Sequence, residues 1–351
     1  MRCGNCSPVA GKQNRLETRM ASPRRMYLHL LVGLIVSAAA IYLSVRKVDF
    51  TALWAFLHSA NYFFLVPAVG VQFLCFFLKG MGWRYLLFPA KEGIRVISTT
   101  SVLIIGLMVN DLFPAKMGEL ARAYLMGERE KLPKSLCLST IIVEHLLDIL
   151  VLLIFLLILL PLVSLPPWLQ TSGTLVGFLA LGMIGVLFFV MRREEKFLKW
   201  ISRLLIHLPD RLRGKVQAIL NNIFQGLRVV TGRYILYAFA ALVGMWSMVF
   251  LLAYLIMAAF GLFLPVPAPI MVIIFAAFGK IIPSSPGGIG TLHYLIIVVL
   301  MAFGVSKELA LGYAIIFHGI GFLVEVSSGI AVLLAWNLSL GRIVHRVEES
   351  P

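Results

Sequence analysis

Six stretches of this chain, at about 27–45, 61–78, 135–161, 171–191, 234–260 and 308–337, are long apolar runs. Each can cross a hydrocarbon core of about 30 Å as a helix rising 1.5 Å per residue. No other feature restricts the fold so tightly, because a segment in hydrocarbon must satisfy its own backbone hydrogen bonds. Composition agrees: 60% of residues are apolar and only 13% charged, against about 25% charged in a soluble domain. A chain of 351 residues would otherwise hold two soluble domains, and this one does not.

The remaining charge is lopsided, with 31 Lys+Arg against 16 Asp+Glu and a net of +15. Nucleic-acid binding is not expected, because the basic residues fall in blocks between the apolar runs. There they set topology and meet anionic headgroups. Two more stretches are apolar but interrupted: Ile94–Met126 at Asp111–Pro114, and Ile270–Phe303 at Pro283–Gly288. If each is a hairpin that returns to its own side, segments 1–27, 79–134, 192–233 and 338–351 share one side. They carry 27 of the 31 basic residues, and loops 162–170 and 261–269 carry no charge. A single crossing at the first break would put the ten basic residues of 192–233 outside, against the positive-inside rule.

The expected fold is therefore an all-α integral membrane protein with both termini cytoplasmic. It has six spanning helices and two re-entrant broken-helix hairpins, eight hydrophobic segments in all, arranged as an inverted repeat. The expected divisions are a basic tail 1–27, a first repeat 28–162 with hairpin 94–126, a second repeat 163–337 with hairpin 270–304, and a tail 338–351. Both breaks share a P-x-x-x-G spacing, Pro114 to Gly118 and Pro283 to Gly287. Inverted repeats with broken helices meeting near the midplane are a transporter architecture. Within the second repeat, 192–233 is a basic insert. Its apolar residues Phe197, Ile201, Leu204, Leu205 and Leu208, then Leu212, Val216, Ile219, Leu220, Ile223 and Leu227, follow helical spacing on either side of Pro209. Two amphipathic helices result, lying on the inner membrane surface or on the protein's own cytoplasmic face.

Ionisable residues at membrane depth are costly, and the chain keeps several. Asp111, Lys116, Glu119 and Arg122 surround the first break, beside the polar candidate Asn110; Glu144, His145 and Asp148 lie in the next span; Lys280, His293, His318 and Glu325 follow. Glu144 sits about nine residues into its span, roughly 14 Å deep by helix rise. Glu144 and Asp148, four apart, share a helix face. These groups can bind substrate or carry protons. Alternatively they pair with one another, Arg122 or Lys280 meeting Glu144 or Asp148, and only hold the hairpins. At the second break, Gly287, Gly288, Gly290 and Thr291 open a half-helix whose backbone N–H groups and dipole favour an anion such as a lipid phosphate. A tight turn for close helix packing is the plainer alternative. Cys75 and Cys137 read as small core residues, and the single Cys3-x-x-Cys6 lacks the second pair a zinc site needs.

Residues 109–122, with Asn110, Pro114, Gly118, Glu119 and Arg122 at their spacing, resemble the N-x-x-x-P-x-x-x-G-E-x-x-R signature of the flippase-like lysylphosphatidylglycerol synthase transmembrane family. Val143–Asp148 resembles its E-R-x-x-D segment, and Pro283–Thr291 with Gly304, Val305 and Ala310 its P-x-x-P-G-G-x-G block. The resemblance runs from about 28 to 337. His145 stands where Arg is usual, and His293 and His318 where many members show Glu and Arg. The resemblance implies a multi-pass protein of the cell inner (plasma) membrane that handles envelope lipids. In bifunctional relatives this region flips an aminoacylated phospholipid made by a separate synthase domain, for which the residues after 337 leave no room.

The expected function is a lipid flippase or lipid-handling transporter binding an anionic membrane lipid between the two hairpins. Lys116, Arg122 and the 287–290 turn would hold the phosphate, and Glu119, Glu144, Asp148 and Glu325 would serve as counter-charges or proton carriers. Two alternatives stand beside it: an integral membrane transferase for a polyprenyl or phospholipid substrate, and a non-transporting partner of a separately encoded lipid-modifying enzyme. No nucleotide-binding fingerprint or metal-ligand cluster occurs, so no cofactor and no metal is expected. A transporter is expected rather than an enzyme.

Overall fold

The computed structural model describes residues 35–113, 116–159, 232–281 and 286–348, with the isolated positions 161, 182 and 185. Among these every regular element is a helix. The helices are α1 (Ile35–Val45), α2 (Phe50–Ser59), α3 (Leu65–Leu87), α4 (Val96–Leu112), α5 (Met117–Glu130) and α6 (Lys134–Leu159), then α7 (Arg233–Ala259), α8 (Pro267–Ile281), α9 (Thr291–Ala302), α10 (Lys307–Ala335) and α11 (Leu340–Glu348). Four are long and apolar enough to cross a membrane: Tyr62–Leu87, Lys134–Leu159, Arg233–Ala259 and Lys307–Ala335. They coincide with four of the six apolar runs. The fifth, 27–45, is described only from Ile35 onward. The run 171–191, the insert 192–233 and Cys3 and Cys6 lie outside the described residues, save positions 182 and 185.

Local chemistry sets the boundaries. The Asp49 carboxylate accepts from the backbone N–H of Thr51 (2.8 Å) and Ala52 (3.3 Å) and caps α2. Phe113 is extended (φ −120°, ψ 146°) because it precedes Pro114, and α4 stops there. Lys116 adopts a left-handed conformation (φ 53°) and turns the chain into α5. One boundary differs from expectation: α3 runs nine residues beyond 78, so Lys79 lies inside a spanning helix and not in a loop. Gly80 allows this by letting α3 press against Thr100 of α4, where an added Cβ would overlap.

The two interrupted stretches fold as helix pairs. Ser98, at the start of α4, donates to Glu130 at the end of α5 (3.0 Å) and accepts from Arg129 (3.1 Å). The chain thus comes back to the end it left. Gly106 and Gly118 let the pair cross closely, since a Cβ on Gly118 would overlap the Gly106 carbonyl oxygen and the Asn110 side chain. In the second pair Thr291 Oγ1 donates to the Gly279 carbonyl (3.0 Å).

Packing follows one order twice: α3 on α4, α4 on α5 and α5 on α6; then α7 on α8, α8 on α9 and α9 on α10. The counterparts α3 and α7 form the most extensive contact among the described helices. They run antiparallel along their whole length. Asn61 N–H meets the Ala259 carbonyl (2.7 Å), Cys75 Sγ the Met245 carbonyl (3.9 Å), Tyr85 the Tyr237 ring (5.5 Å) and Phe88 the Tyr234 ring (4.8 Å). One apolar core, with Trp83, Met108 and Ile141, fills the first series; another, with Ile273, Ile296 and Tyr313, fills the second. Cys75 and Cys137 are buried free thiols, as core residues should be.

Candidate functional site

Among the described residues, the polar groups singled out above gather in two places. The first joins α3, α5, α6 and α7. Arg122 reaches Glu144 with both terminal nitrogens, at 3.2 and 2.6 Å. Lys79 Nζ lies 2.5 Å from Asp148 Oδ2 and 3.2 Å from Glu144 Oε1. Trp246 Nε1 donates to the other Asp148 oxygen (2.9 Å). The Arg122 guanidinium lies over the Trp83 ring, 4.3 Å from its centre, and Trp83 Nε1 donates to Thr140 (3.0 Å). His145 lies between Glu119 (3.5 Å) and Asp148 (3.8 Å), and Asn110 links Glu119 (3.3 Å) to the Gly118 N–H (2.8 Å). Glu144 is fully enclosed and Arg122 is 3% exposed. Two cations, Lys79 and Arg122, face two anions, Glu144 and Asp148, so their charges balance. Among the described residues, Arg122 Nε and Glu119 Oε2 have no hydrogen-bond partner.

The second cluster lies where the two interruptions meet. The turn Pro286–Gly288 packs against α4 and α8. Gly287, Gly288 and Gly290 all have positive φ (70°, 73° and 94°), which side-chain-bearing residues rarely adopt. A Cβ on Gly287 would lie 3.5 Å from His318 Nε2 and 3.9 Å from the Asp111 carbonyl; one on Gly288 would lie 3.6 Å from Lys280 Cγ. Glu325 lies within electrostatic range of Lys280 and Asp111. The His293 and His318 rings are 4.9 Å apart. His293 Nδ1 accepts the Gly290 N–H (3.3 Å), and Thr291 Oγ1 bridges the Gly279 and Gly288 carbonyls, so these residues brace the turn. A Cβ on Gly290 would come within 2.7 Å of the Ser37 carbonyl, so α1 packs on the turn from outside. Lys280 is exposed.

The structure therefore divides the residues singled out above. Asn110, Glu119, Arg122, Glu144 and Asp148 belong to the first cluster. Lys280, Gly287, Gly288, Gly290, Thr291, His293, His318 and Glu325 belong to the second. Lys116 is exposed at the α4–α5 turn and joins neither. Sequence reasoning missed Lys79, Trp83 and Trp246. Lys79 was legible only through the apolar residues that continue past it to Leu87, with Trp83 one turn on. Among the described residues no three His, Cys, Asp or Glu side chains are grouped as a metal site would need.

Long apolar helices enclosing paired charges define a multi-pass all-α membrane protein. Residues 30–329 match the lysylphosphatidylglycerol synthase TM region, and the chain belongs to that family. It is 22% identical over 354 aligned positions to a Haloferax volcanii protein named glycosyltransferase AglD, covering 91% of this chain and 56% of that one. It is 23% identical over 294 positions to a UPF0104 membrane protein of Methanothermobacter thermautotrophicus, covering 79% of this chain and 86% of that protein. The chain thus spans little more than half the length of AglD.

Proposed function

We propose that this protein moves a lipid with an anionic headgroup across the cell inner membrane, holding the headgroup where the two interrupted segments face each other. One observation carries the reading: the glycine turn after α8 touches His318 of α10 and the α4 terminus at Asp111. Backbone N–H groups of a glycine turn beside an exposed lysine suit a phosphate. Lys280 and the 287–288 turn are the headgroup ligands in this reading, and Gly290, Thr291 and His293 shape the turn. Arg122, Glu144, Asp148 and Glu119 act instead as a scaffold, because their charges already answer one another. The antiparallel α3–α7 seam supports two inverted repeats. The return of α5 beside the start of α4 supports re-entrant hairpins. The family's synthase name and the relative named a glycosyltransferase both fit a lipid-linked substrate.

The test is the purified full chain in phosphatidylcholine liposomes carrying fluorescent phosphatidylglycerol or fluorescent phosphatidylethanolamine. The expected result is faster transbilayer movement of the anionic probe, abolished by Gly287→Leu and by Gly288→Leu in protein that still inserts. Full activity in both variants would refute the headgroup site.

A second reading has its own observation: AglD is longer than this chain by nearly half its length. In that reading the protein is the membrane partner of a lipid-modifying enzyme or transferase. It would then be silent in liposomes and co-purify with such an enzyme.

A further inference from the structure

We infer that α2 is a membrane-surface anchor, lying in the headgroup layer opposite the basic segments, with Arg46 and Lys47 on the phosphates of anionic phospholipid. This anchor stands whether or not the protein moves lipid. The helix has ten residues, a length of about 15 Å, which is half of a hydrocarbon core of about 30 Å. Asp49 opens it, and Ala60 is extended (φ −62°, ψ 134°) and ends it, so α2 does not run on into α3. Asn61 N–H then meets the Ala259 carbonyl at the end of α7 (2.7 Å), and Leu53 and Leu57 pack over Gly312, near the start of α10. The pair of Lys91 and Glu130 (2.8 Å) lies beyond the other end of α3, so α2 occupies the opposite end of the bundle.

Only one side of α2 is turned to the protein. Leu53 is buried, and Ala52, Phe56 and Leu57 are half-buried. Phe50 (62% exposed), Trp54 (65% exposed) and His58 follow one another at four-residue spacing on the other side, with the Trp54 and His58 rings 4.8 Å apart. Water does not suit this face, because two large aromatic side chains would stay exposed to it. Hydrocarbon does not suit it either, because the exposed charges of Arg46, Lys47 and Asp49 just before α2 would be stranded there. The headgroup layer accommodates both. The aromatic side also continues through exposed Tyr62, Phe63 and Val66 into the span Tyr62–Leu87, whose outward side faces lipid.

The basic residues select the lipid. Outside the four basic segments the chain has only Arg46, Lys47, Lys280 and Lys307, and three of these meet beside α2. Lys307 Nζ donates to the Leu43 and Arg46 carbonyls (2.8 and 2.6 Å) and closes the end of α1. Lys47, in the left-handed conformation (φ 61°), turns the chain toward α2. The side chains of Arg46 and Lys47 are exposed. Asp49 is engaged in capping α2. Counting Asp49 and Glu308 against Arg46, Lys47 and Lys307, two against three, leaves a net charge of +1. Guanidinium and ammonium groups bind phosphate well, and anionic headgroups attract such charge at the surface. A phosphate on Arg46 and Lys47 leaves the glycerol and upper acyl chains beside Phe50 and Trp54.

The test uses the full chain with its own cysteines replaced and a polarity-sensitive dye on Ala55→Cys, an exposed position beside Trp54. In phosphatidylcholine liposomes the dye emission should be blue-shifted. Lipids brominated near the glycerol should quench it more than lipids brominated near the chain ends. Emission as in water without quenching overturns the anchor, and stronger quenching from the chain ends overturns it by placing α2 in hydrocarbon. A blue-shifted dye that neither lipid quenches means that protein, such as a second copy of the chain, covers the face, which also overturns it. Adding phosphatidylglycerol should deepen the blue shift. Arg46→Gln with Lys47→Gln should lose that increment and keep the shift seen in phosphatidylcholine alone. An increment that is absent from the unaltered protein, or that survives in the double variant, overturns the phosphate contact.

Discussion

Replacing Glu144 by glutamine should expose how the first cluster is balanced. In the intact protein Lys79 and Arg122 face Glu144 and Asp148, and the sum is zero. Glu144→Gln leaves a net charge of +1 beside the buried Arg122 guanidinium. Arg122→Gln leaves −1. Removing one partner of a buried ion pair costs about 3–5 kcal/mol, since the survivor stays desolvated. At 1.4 kcal/mol per decade that moves the unfolding equilibrium by about two to three and a half decades. The double variant restores zero and keeps Lys79 on Asp148, with Trp246 still donating to it. It should lie within about 2 kcal/mol of the unaltered protein, the residual reflecting lost charge-assisted bonds. Heating the detergent-solubilised variants and following the monodisperse fraction by gel filtration reads this order. Lipid movement by the double variant should survive. A double variant as unstable as either single one would refute the neutral-cluster argument; a stable double variant that moves no lipid would return Arg122 and Glu144 to the binding site.

Gly118→Ala should prevent folded protein from accumulating, because the added methyl overlaps the Gly106 carbonyl and the α4–α5 crossing cannot close. Gly70→Ala, with nothing within 4 Å of its Cβ position, should be neutral in the same expression and gel-filtration test. In a cysteine-free background Val266→Cys should react with an impermeant maleimide in intact cells, and Arg342→Cys only after permeabilisation. Both sites are exposed. The reverse pattern would overturn the orientation drawn from the basic segments.

The long helices were legible because hydropathy and length act along the chain. Lys134–Leu159, Arg233–Ala259 and Lys307–Ala335 begin and end within about two residues of their apolar runs. α3 was cut short because a lysine in a hydropathy pattern looks like a boundary, and its acidic partners lie on a helix not yet reached. The breaks were legible through Pro114 and the glycines after Pro286, each of which acts on its own backbone. Partner choice was not. Arg122 could have answered Glu144 or Asp148, which share a face of α6. The outcome depends on Lys79 of α3 and Trp246 of α7 already holding Asp148. That is a four-helix property, and no spacing within one helix encodes it.

The position of Lys79 has a consequence for how the chain is made. Its carboxylate partner Asp148 lies 69 residues downstream, and Trp246, which completes the arrangement, a further 98. At a synthesis rate of about 5–20 residues per second, about 3–14 seconds separate the emergence of Lys79 from that of Asp148. During that interval α3 carries an unmatched ammonium in a segment that must settle in hydrocarbon. Its membrane insertion is therefore provisional, with the flexible lysine stem drawn toward the headgroups, until α6 arrives and pulls the charge inward. The order of translation is thus also an order of burial, and α6 is the helix that commits α3 to the membrane.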